Sequence, residues 1–167
     1  SASTGSSASG IETALMRGRS GLWDWDLRTD RIYLSPRWKA MLGYPEAEIG
    51  DGTDEWFGRI HSDDTERVTA QIDAHLRGGV SHFESEHRML HQDESYRWML
   101  TRGLAVRGDD DKAYRVVGSQ TDITDRKRAE EQQEPKRRDA VADLQGRWRP
   151  LLLLLDTARH QRGESDA

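Results

Sequence analysis

The sequence predicts an α+β fold, in which a five-stranded antiparallel sheet carries short helices on one side and is flanked by a helix at each end. Three observations lead to this prediction. Apolar and polar residues alternate in five segments, as they do in strands with one buried face. Helix-capping residues and glycines bound several short apolar runs between the second and third segments. The last alternating segment, residues 114–124, continues without a turn into a charged, helix-prone stretch.

The composition excludes several classes of site and partner. The chain of 167 residues contains no cysteine, which excludes disulfides, thiolate metal sites and cysteine nucleophiles. Its net charge of −5 offers no basic field for nucleic acid. The longest apolar run, residues 151–155, is much shorter than the roughly 20 residues that span a bilayer. We therefore expect a cytoplasmic fragment without nucleic-acid or membrane contact, which opens with a flexible serine-rich leader at residues 1–10.

The first predicted elements are a cap helix and a β-hairpin. Residues 11–19 carry apolar side chains at helical spacing, which predicts a short amphipathic helix before the sheet. From Trp23 the period changes to two, so that Trp23 and Trp25 share one face of a strand and the neighbouring aspartates share the other. Turn residues at 28–30 separate this strand from a second one that begins at Ile32.

Three helices are predicted after the hairpin. Ser35 supplies an N-cap before Pro36, and Gly43 ends this first helix. Thr53 is expected to cap a second, brief helix. Ser62 is expected to cap a third and longer helix, because the two aspartates that follow it favour the positive end of a helix dipole. We interpret this acidic cluster as a helix cap rather than as a metal site.

The C-terminal half of the sequence predicts a three-stranded meander. Its first strand begins near His82 and has an apolar face that includes Phe83 and Met89. The second strand has a face on which Arg102 is the single charge, and we expect this face to be buried. The apolar side chains of that face belong to Tyr96, Trp98, Leu100, Leu104 and Val106. The third strand is the segment 114–124.

Six short motifs stand at the joints between these elements. They occupy residues 21–27, 34–44, 60–64, 83–88, 96–98 and 118–124. In their order and spacing, over residues 11–131, they resemble the PAS sensor domain in its common bacterial form with a C-terminal PAC portion. The resemblance implies a PAS fold that senses a ligand, cofactor, redox state or partner, forms a homodimer, and controls a covalently attached output domain. It also implies that the signal leaves through Asp122, Ile123 and Thr124.

The chain departs from the PAS pattern in one turn. Where the family usually has Asp-Gly, this sequence has Asp93 followed by Glu94. Glycine takes a positive φ without strain, whereas a residue with a Cβ atom at such a position is less stable by about 1 kcal/mol. We therefore expect either a strained Glu94 or a different turn.

The resemblance also divides the chain into parts. These are the leader at 1–10, a PAS domain with its cap helix at 11–124, a linker helix at 125–134 and a helical tail at 135–167. Pro135 is expected to end or kink the linker helix, which would then be a short coupling element rather than a long coiled coil. The tail, from residue 137 on, resembles the truncated start of a GGDEF-type diguanylate cyclase domain.

The resemblance implies that a small-molecule ligand binds in an interior cavity. The candidate residues around it are Trp38, Trp56, Trp98 and Arg102. Tryptophans are more often core residues than parts of a cofactor site, so they can also fill the cavity themselves. Arg102 is expected to pair with a carboxylate of the protein, or alternatively with a small anionic ligand. The sequence identifies no particular ligand.

Haem ligation is considered at His75, because haem-binding PAS domains take their axial ligand from the long helix before the meander. The alternative is a solvated or hydrogen-bonded histidine at the edge of the apolar stripe. A flavin photoadduct requires a cysteine and is excluded, while noncovalent flavin stays open, so no cofactor is assigned. His82, His87 and His91 are expected on the surface, since alternation along the strand keeps them from converging on one metal ion.

The sequence favours a regulatory domain over an enzyme. It contains no nucleophile–base pair, no phosphate-binding glycine loop and no clustered carboxylate pair, and hence no catalytic residues are assigned. The first hypothesis is a PAS input module that passes a ligand- or partner-dependent change to a diguanylate cyclase or phosphodiesterase. The alternative is a haem- or small-ligand-binding sensor domain of a histidine kinase.

Overall fold

The computed structural model describes residues 20–162, with side chains through residue 144, and its strands form one five-stranded antiparallel sheet. The strands are β1 (Ser20–Asp26), β2 (Arg31–Leu34), β3 (Phe83–Leu90), β4 (Tyr96–Arg107) and β5 (Ala113–Asp122). Their order across the sheet is β2-β1-β5-β4-β3, so the N-terminal hairpin pairs with the last strand of the meander. The predicted cap helix at residues 11–19 lies outside the described residues.

Within the described part of the chain, short helices connect β2 to β3 and one long helix follows β5. They are α1 (Pro36–Met41), a 3₁₀ turn (Glu46–Glu48), α2 (Asp54–Phe57), α3 (Ser62–Leu76) and α4 (Thr124–Arg162). Trp38 of α1, Trp56 of α2 and Ile72 of α3 are buried in one core with the inner face of the sheet. The predicted α+β fold with short helices on one side is therefore confirmed.

The helix starts agree only in part with the predicted caps. The Oγ of Ser35 accepts a hydrogen bond from the backbone N–H three residues later at 3.2 Å, as predicted for α1. Thr53 stands at the N-cap of α2, but its side chain makes no cap hydrogen bond to any described residue. At the start of α3 the capping atom is the Nδ1 of His61, which accepts from the Asp63 N–H at 3.1 Å. The prediction that Ser62 caps α3 is therefore wrong by one residue, because a neutral imidazole also offers an acceptor nitrogen.

The centre of the sheet is built around the indole ring of Trp23. Gly103 of β4 and Gly118 of β5 are directly opposite each other, and the ring lies against both. A Cβ atom added to Gly103 would lie 2.6 Å from Cη2 of Trp23, and one added to Gly118 would lie 2.5 Å from Cζ2. The Nε1 of Trp23 donates to the carbonyl oxygen of Ser119 at 3.2 Å, which holds the ring in this orientation. Only glycine therefore leaves room for the ring at these two positions.

The face of β4 that points into the core is the opposite of the predicted one. Its inward residues are small or slender, and they are Met99, Thr101, Gly103 and Ala105. The face predicted to be buried points away from the helices, and Leu104 on it is 57% exposed. The reason is volume, because Trp23 and the Trp56 ring stacked on it occupy the space that larger inward side chains of β4 would need. We name the apolar residues on the other side the outer face: Leu22, Trp98, Leu100, Leu104, Val106 and Val117.

The first turn of α3 is attached to β3 through a partly buried ion pair. The two carboxylate oxygens of Asp64 accept from the guanidinium of Arg88 at 2.9 Å each, and Oδ2 also accepts from the Arg88 backbone N–H at 2.9 Å. In the described sheet β3 is an edge strand, so this backbone N–H points away from the sheet. The pair therefore attaches the helix and covers an open strand edge. These hydrogen bonds from Arg88 lower the pKa of the Asp64 carboxyl to about 2.

The last turn of α3 is attached to β4 by two side chains. The Nδ1 of the buried His75 ring lies 2.9 Å from the carbonyl oxygen of Val80, and its Nε2 accepts from the Ala105 N–H at 2.9 Å. Arg107 donates to the carbonyl oxygens of His75 at 2.9 Å and Leu76 at 3.1 Å. The last carbonyls of a helix lack partners within it, so Arg107 caps the C-terminus of α3.

In the turn between β3 and β4, a residue other than glycine has a left-handed backbone conformation. Glu94 has a φ of +66°. The Oδ1 of Asp93 accepts from the Ser95 N–H at 3.0 Å and closes the turn around it. The first of the two expectations for this turn, a strained Glu94, is confirmed.

Helix α4 begins at Thr124 and continues through Pro135 to Arg162. Of the two outcomes expected at Pro135, an end or a kink, the end of the helix is therefore wrong. A proline removes one backbone donor, and the helix-favouring residues on both sides sustain the helix across that position. The chain divides into two compact units, of which the first ends at Asp125 and the second begins at Arg126. Among the described residues, no helix combines the length and apolarity that crossing a membrane requires.

We expect Asp64→Asn to lower the free energy of unfolding by roughly 2 kcal/mol at neutral pH, because a pKa lowered from 3.8 to about 2 corresponds to that stabilisation. Since the pKa in the folded state is below the unfolded value, the stabilisation is complete above about pH 4 and is lost as the pH falls towards 2. The difference between wild type and variant in urea unfolding should therefore disappear in acid. Asp63→Asn is the matched control, since the Asp63 side chain is 74% exposed. An equal loss in the control would contradict this account.

Candidate functional site

A row of polar side chains crosses the inner face of the sheet, where most surrounding residues are apolar. Ser85 of β3 is opposite Thr101 of β4, and Thr101 is opposite Gln120 of β5. His87 lies two residues further along β3 on the same face. All four side chains belong to residues that are at most 2% exposed. We name Ser85, His87, Thr101 and Gln120 the polar row.

Two donors orient the amide group of Gln120. The Nε1 of Trp56 and the Oγ1 of Thr101 both donate to the Oε1 of Gln120, each at 3.0 Å. An indole N–H can only donate, so the amide atom that faces Trp56 must be the oxygen. The NH₂ group of Gln120 consequently points elsewhere in the core, and among the described residues none accepts a hydrogen bond from it.

The ring of His87 is neutral, and Ser85 connects it to the protein surface. Burial lowers the pKa of His87 to about 4, so the ring carries no charge at neutral pH. Its Nδ1 lies 3.3 Å from the Oγ of Ser85, which also accepts from the Nη1 of Arg67 at 3.3 Å. Because Arg67 can only donate, the hydroxyl hydrogen of Ser85 is available to the Nδ1 of His87. The Oγ of Ser85 donates to this ring nitrogen or accepts from it, according to which of the two ring nitrogens carries the hydrogen.

Two nitrogen atoms of the polar row lack a hydrogen-bond partner within the described part of the chain. They are the Nε2 of His87 and the Nε2 of Gln120. A buried donor without an acceptor destabilises a fold by about 1–3 kcal/mol. The Nε1 of Trp38 is a further buried donor for which residues 20–144 supply no partner. The core therefore contains hydrogen-bonding capacity that its own packing leaves unused.

Aromatic rings enclose the polar row. The Trp56 ring stacks on Trp23 with centroids 6.1 Å apart and meets the His87 ring edge-on at 5.5 Å. Phe83 packs edge-on against both indoles, at 6.5 Å from Trp23 and 6.4 Å from Trp56. This packing favours the alternative in which tryptophans fill much of the interior. These rings therefore occupy much of the space around the polar row.

The four predicted cavity residues lie on opposite sides of the sheet. Trp38 and Trp56 are buried in the core, whereas Trp98 and Arg102 are on the side of β4 that faces away from it. Trp98 and Arg102 therefore do not line the interior, for the same reason that the faces of β4 are reversed. The Nε of Arg102 donates to the Oε2 of Glu84 at 2.6 Å, which is the intraprotein pair expected from the sequence.

His75 is poorly placed to bind haem iron. Its Nε2 accepts from the Ala105 N–H, so the lone pair that would coordinate iron is already engaged. Its Nδ1 carries the ring hydrogen and lies within hydrogen-bond distance of the Val80 carbonyl oxygen. Iron binding would require the ring to release β4, and the geometry favours the hydrogen-bonded alternative.

The sequence contained a signal for only half of the polar row. Period two places Ser85 and His87 on the same face as Phe83, and this face is buried. The expectation that His87 lies on the surface is therefore wrong. Thr101 was not predicted to be buried, because the opposite face of β4 was expected to point into the core. Gln120 lies in the motif at residues 118–124, but nothing in the sequence distinguished it from its neighbours. The pairing of the strands across the sheet was needed to bring the four residues together.

Strand β5 passes into helix α4 through a single residue, Ile123. The Oδ1 of Asp122 accepts from the Thr124 N–H at 2.8 Å and caps the first turn of the helix. The Oγ1 of Thr124 accepts from the Trp98 N–H at 3.0 Å, and the Ile123 N–H donates to the Trp98 carbonyl oxygen at 2.9 Å. We name Asp122, Ile123 and Thr124 the joint, which attaches the start of α4 to strand β4.

Comparison with known proteins points to one family. The family model described as PAS fold matches residues 31–120, which is more than half of the chain. The chain resembles the structure of a sensory box histidine kinase/response regulator from Burkholderia thailandensis, with a TM-score of 0.69 and 35% identity over 78% of this chain and 96% of that one. It also resembles the N-terminal domain of a diguanylate cyclase with PAS/PAC sensor from Marinobacter aquaeolei. For that domain the TM-score is 0.57, with 27% identity over 63% of this chain and 95% of that one.

A much longer curated relative is similar to the chain in sequence. It is the non-motile and phage-resistance protein of Caulobacter vibrioides, with 30% identity over 138 residues. The match covers 78% of this chain and 16% of the relative. The chain therefore spans about a sixth of the length of that protein.

We expect Asp122→Ala to lower the hydrogen-exchange protection of the Thr124 amide, because it removes the acceptor of that amide. Thr124→Val should lower the protection of the Trp98 amide for the same reason. Each change should also lower the free energy of unfolding by about 1 kcal/mol, the usual net value of one hydrogen bond. Amide exchange followed by NMR measures the first effect and urea unfolding the second. Asp125→Asn is the control in the exposed first turn of α4. Unchanged protection at Trp98 in Thr124→Val would show that the joint is not held in this way.

Proposed function

The chain belongs to the PAS family, and on this premise we propose that it is a regulatory sensor module that passes a change in its sheet through the joint to an attached output domain. The joint is the observation that carries the proposal. It ties the first turn of α4 to the backbone of Trp98, so a displacement of β4 or β5 moves the start of the helix. The module regulates the output domain and is not itself a catalyst.

The output domain in this proposal is a diguanylate cyclase. The tail from residue 137 resembles the start of such a domain, and the chain is similar to the PAS/PAC sensor of the Marinobacter cyclase. A histidine kinase is the second candidate, supported by the similarity to the Burkholderia sensory kinase. The proposal places the module in the cytoplasm, where the nucleotide substrates of both kinds of output are found.

The proposal also includes a homodimer in which the outer face of one copy docks on the outer face of another. Leu104 of this surface is opposite Val117 of β5 and is 57% exposed. The charged side chains beside it form oppositely charged pairs, Asp24 with Arg115 and Glu84 with Arg102. Because each pair is neutral, two copies of this surface can meet without like-charge repulsion. Contiguous exposed apolar surfaces commonly mark such contacts.

We expect Asp122→Ala and Thr124→Val, introduced into the parent protein, to change the activity of its output domain by about fivefold or more, a usual size for coupling between sites. Product formation from GTP measures a cyclase output, and autophosphorylation measures a kinase output. Asp125→Asn is the control for a change in the exposed first turn. Output activity that is the same in both joint variants and the wild type, with the fold intact, would reject transmission through the joint.

We expect Leu104→Glu to weaken the homodimer by about tenfold or more, because it places a charge in the contact. Sedimentation of the chain over a range of concentrations measures the dimer dissociation constant. Val80→Glu is the matched control, since Val80 is also apolar and 49% exposed but lies in the loop after α3. A wild-type chain that stays monomeric, or an equal effect of both substitutions, would contradict docking through the outer face.

A further inference from the structure

Helix α3 packs on strand β3, and an ionisable ring lies beneath this contact. Asp64 in the first turn of the helix pairs with Arg88 of the strand. One turn later, Arg67 donates to the Oγ of Ser85 at 3.3 Å and to a backbone oxygen of β3 at 2.8 Å. The ring of His87 is fully buried on the same face of the strand as Ser85. Separating α3 from β3 therefore breaks these polar contacts and removes part of the cover of the ring.

The surroundings of the His87 ring do not accommodate a positive charge. A protonated imidazole carries a hydrogen on both ring nitrogens and needs an acceptor for each. The Nδ1 of His87 has the Oγ of Ser85 at 3.3 Å, whereas its Nε2 has no partner within residues 20–144. Strand β4 and helix α2 place Met99 and Trp56 against the ring, and neither side chain ionises. A charge on this ring would thus lack both water and a second acceptor.

The charged groups that act on the His87 ring come from α3. Arg67 repels a positive charge on the ring, whereas Asp64 attracts one. Both oxygens of Asp64 are already bonded to Arg88, so its attraction does not offset the repulsion and the burial. Burial and Arg67 together lower the pKa of His87 from 6.5 to about 4.

Acid therefore favours any state in which the His87 ring is exposed to water. Because the pKa is lower in the folded chain than in an exposed imidazole, the stabilisation is complete above about pH 6.5 and is lost as the pH falls towards 4. Within this range, each pH unit raises the population of the exposed state about tenfold. Asp64 stays ionised over the same range, since its pKa is about 2. A change between pH 6.5 and 4 is therefore separate from the titration of Asp64.

We propose that the contact between α3 and β3 is an acid-sensitive switch, in which protonation of His87 releases the helix from the strand. Strand β4 pairs with β3 and also holds the joint through the backbone of Trp98. A released helix therefore frees the neighbour of the strand to which the joint is attached. This names a fall in pH as the stimulus of the proposed sensor, and it rests on the proposed function only for that regulatory consequence.

The experiment is amide hydrogen exchange of the ¹⁵N-labelled chain between pH 7 and pH 4.5, with protection taken relative to an unfolded chain at each pH. The reporter is the Arg88 N–H, which donates to Asp64 across the contact. We expect its protection to fall about tenfold per pH unit below pH 6.5. The ring nitrogens of His87 should still show the neutral form in the folded chain at pH 5.5. A ring that is half protonated near pH 6.5 in the folded chain, or a constant protection of Arg88, would overturn the proposal.

The variant His87→Gln keeps a polar side chain of similar size that does not ionise. Its Arg88 amide should keep the same protection across this pH range. His82→Gln is the matched control, because His82 is exposed and lies before β3, and it should behave as the wild type does. Equal pH dependence in the two variants would assign the effect to another group and overturn the proposal. If His87→Gln does not fold, the ring titration and the Arg88 protection of the wild type still decide the question.

Failure of this proposal can be told apart from failure of the proposed function. The exchange measurements use the chain alone and require no output domain. The effect of the joint variants on output activity is measured at one pH. A chain in which Arg88 protection is independent of pH, but whose joint variants alter the output, would reject the acid switch only.

Discussion

The contact between the indole of Trp23 and the glycine pair of β4 and β5 determines much of the rest of this fold. The ring occupies the volume in which inward side chains of β4 would otherwise lie, and Trp56 stacks on its other side. Strand β4 consequently turns small residues inward and its larger apolar residues outward. The same stack points the Nε1 of Trp56 at Gln120, which orients the amide of that residue. One packing contact thus accounts for both the exposed apolar surface and the arrangement of the polar row.

The polar row and the joint are connected because both use strand β5. Gln120 belongs to the row, and Asp122, next on the same side of the strand, caps the helix that follows. The joint is also bonded to the backbone of Trp98, whose neighbour Met99 lies inside the core. Helix α3 is fixed to β3 at its first turn and to β4 at its last turn. The polar row, helix α3 and the joint are therefore all attached to the same strands of the sheet.

Elements whose signals are local in the chain were predictable from the sequence. The cap at Ser35 and the helix end at Gly43 depend on neighbouring residues, and both agree with the structure. The order of the strands along the chain and the passage from the last strand into a helix were also predictable for this reason, and one of the two outcomes expected at Glu94 agrees with the structure. Local signals were less reliable at the start of α3. There both His61 and Ser62 have a side-chain atom that can accept a hydrogen bond from the first turn, and His61 is the one that does. They also gave no end of the helix at Pro135, one of the two outcomes expected there, because the neighbouring residues outweigh one missing donor.

The sequence by itself determined the fold class, the family and the alternation of each strand, because these depend on residues close together along the chain. It did not determine which face of β4 is buried. That choice depends on the volume of Trp23 and Trp56, which come from distant parts of the chain and reach β4 only after folding. The two unpartnered nitrogens of the polar row were decided in the same way, since a missing hydrogen-bond partner is a property of the packed core. Tertiary structure alone therefore brought the polar row together, while the sequence had already indicated the passage from β5 to α4.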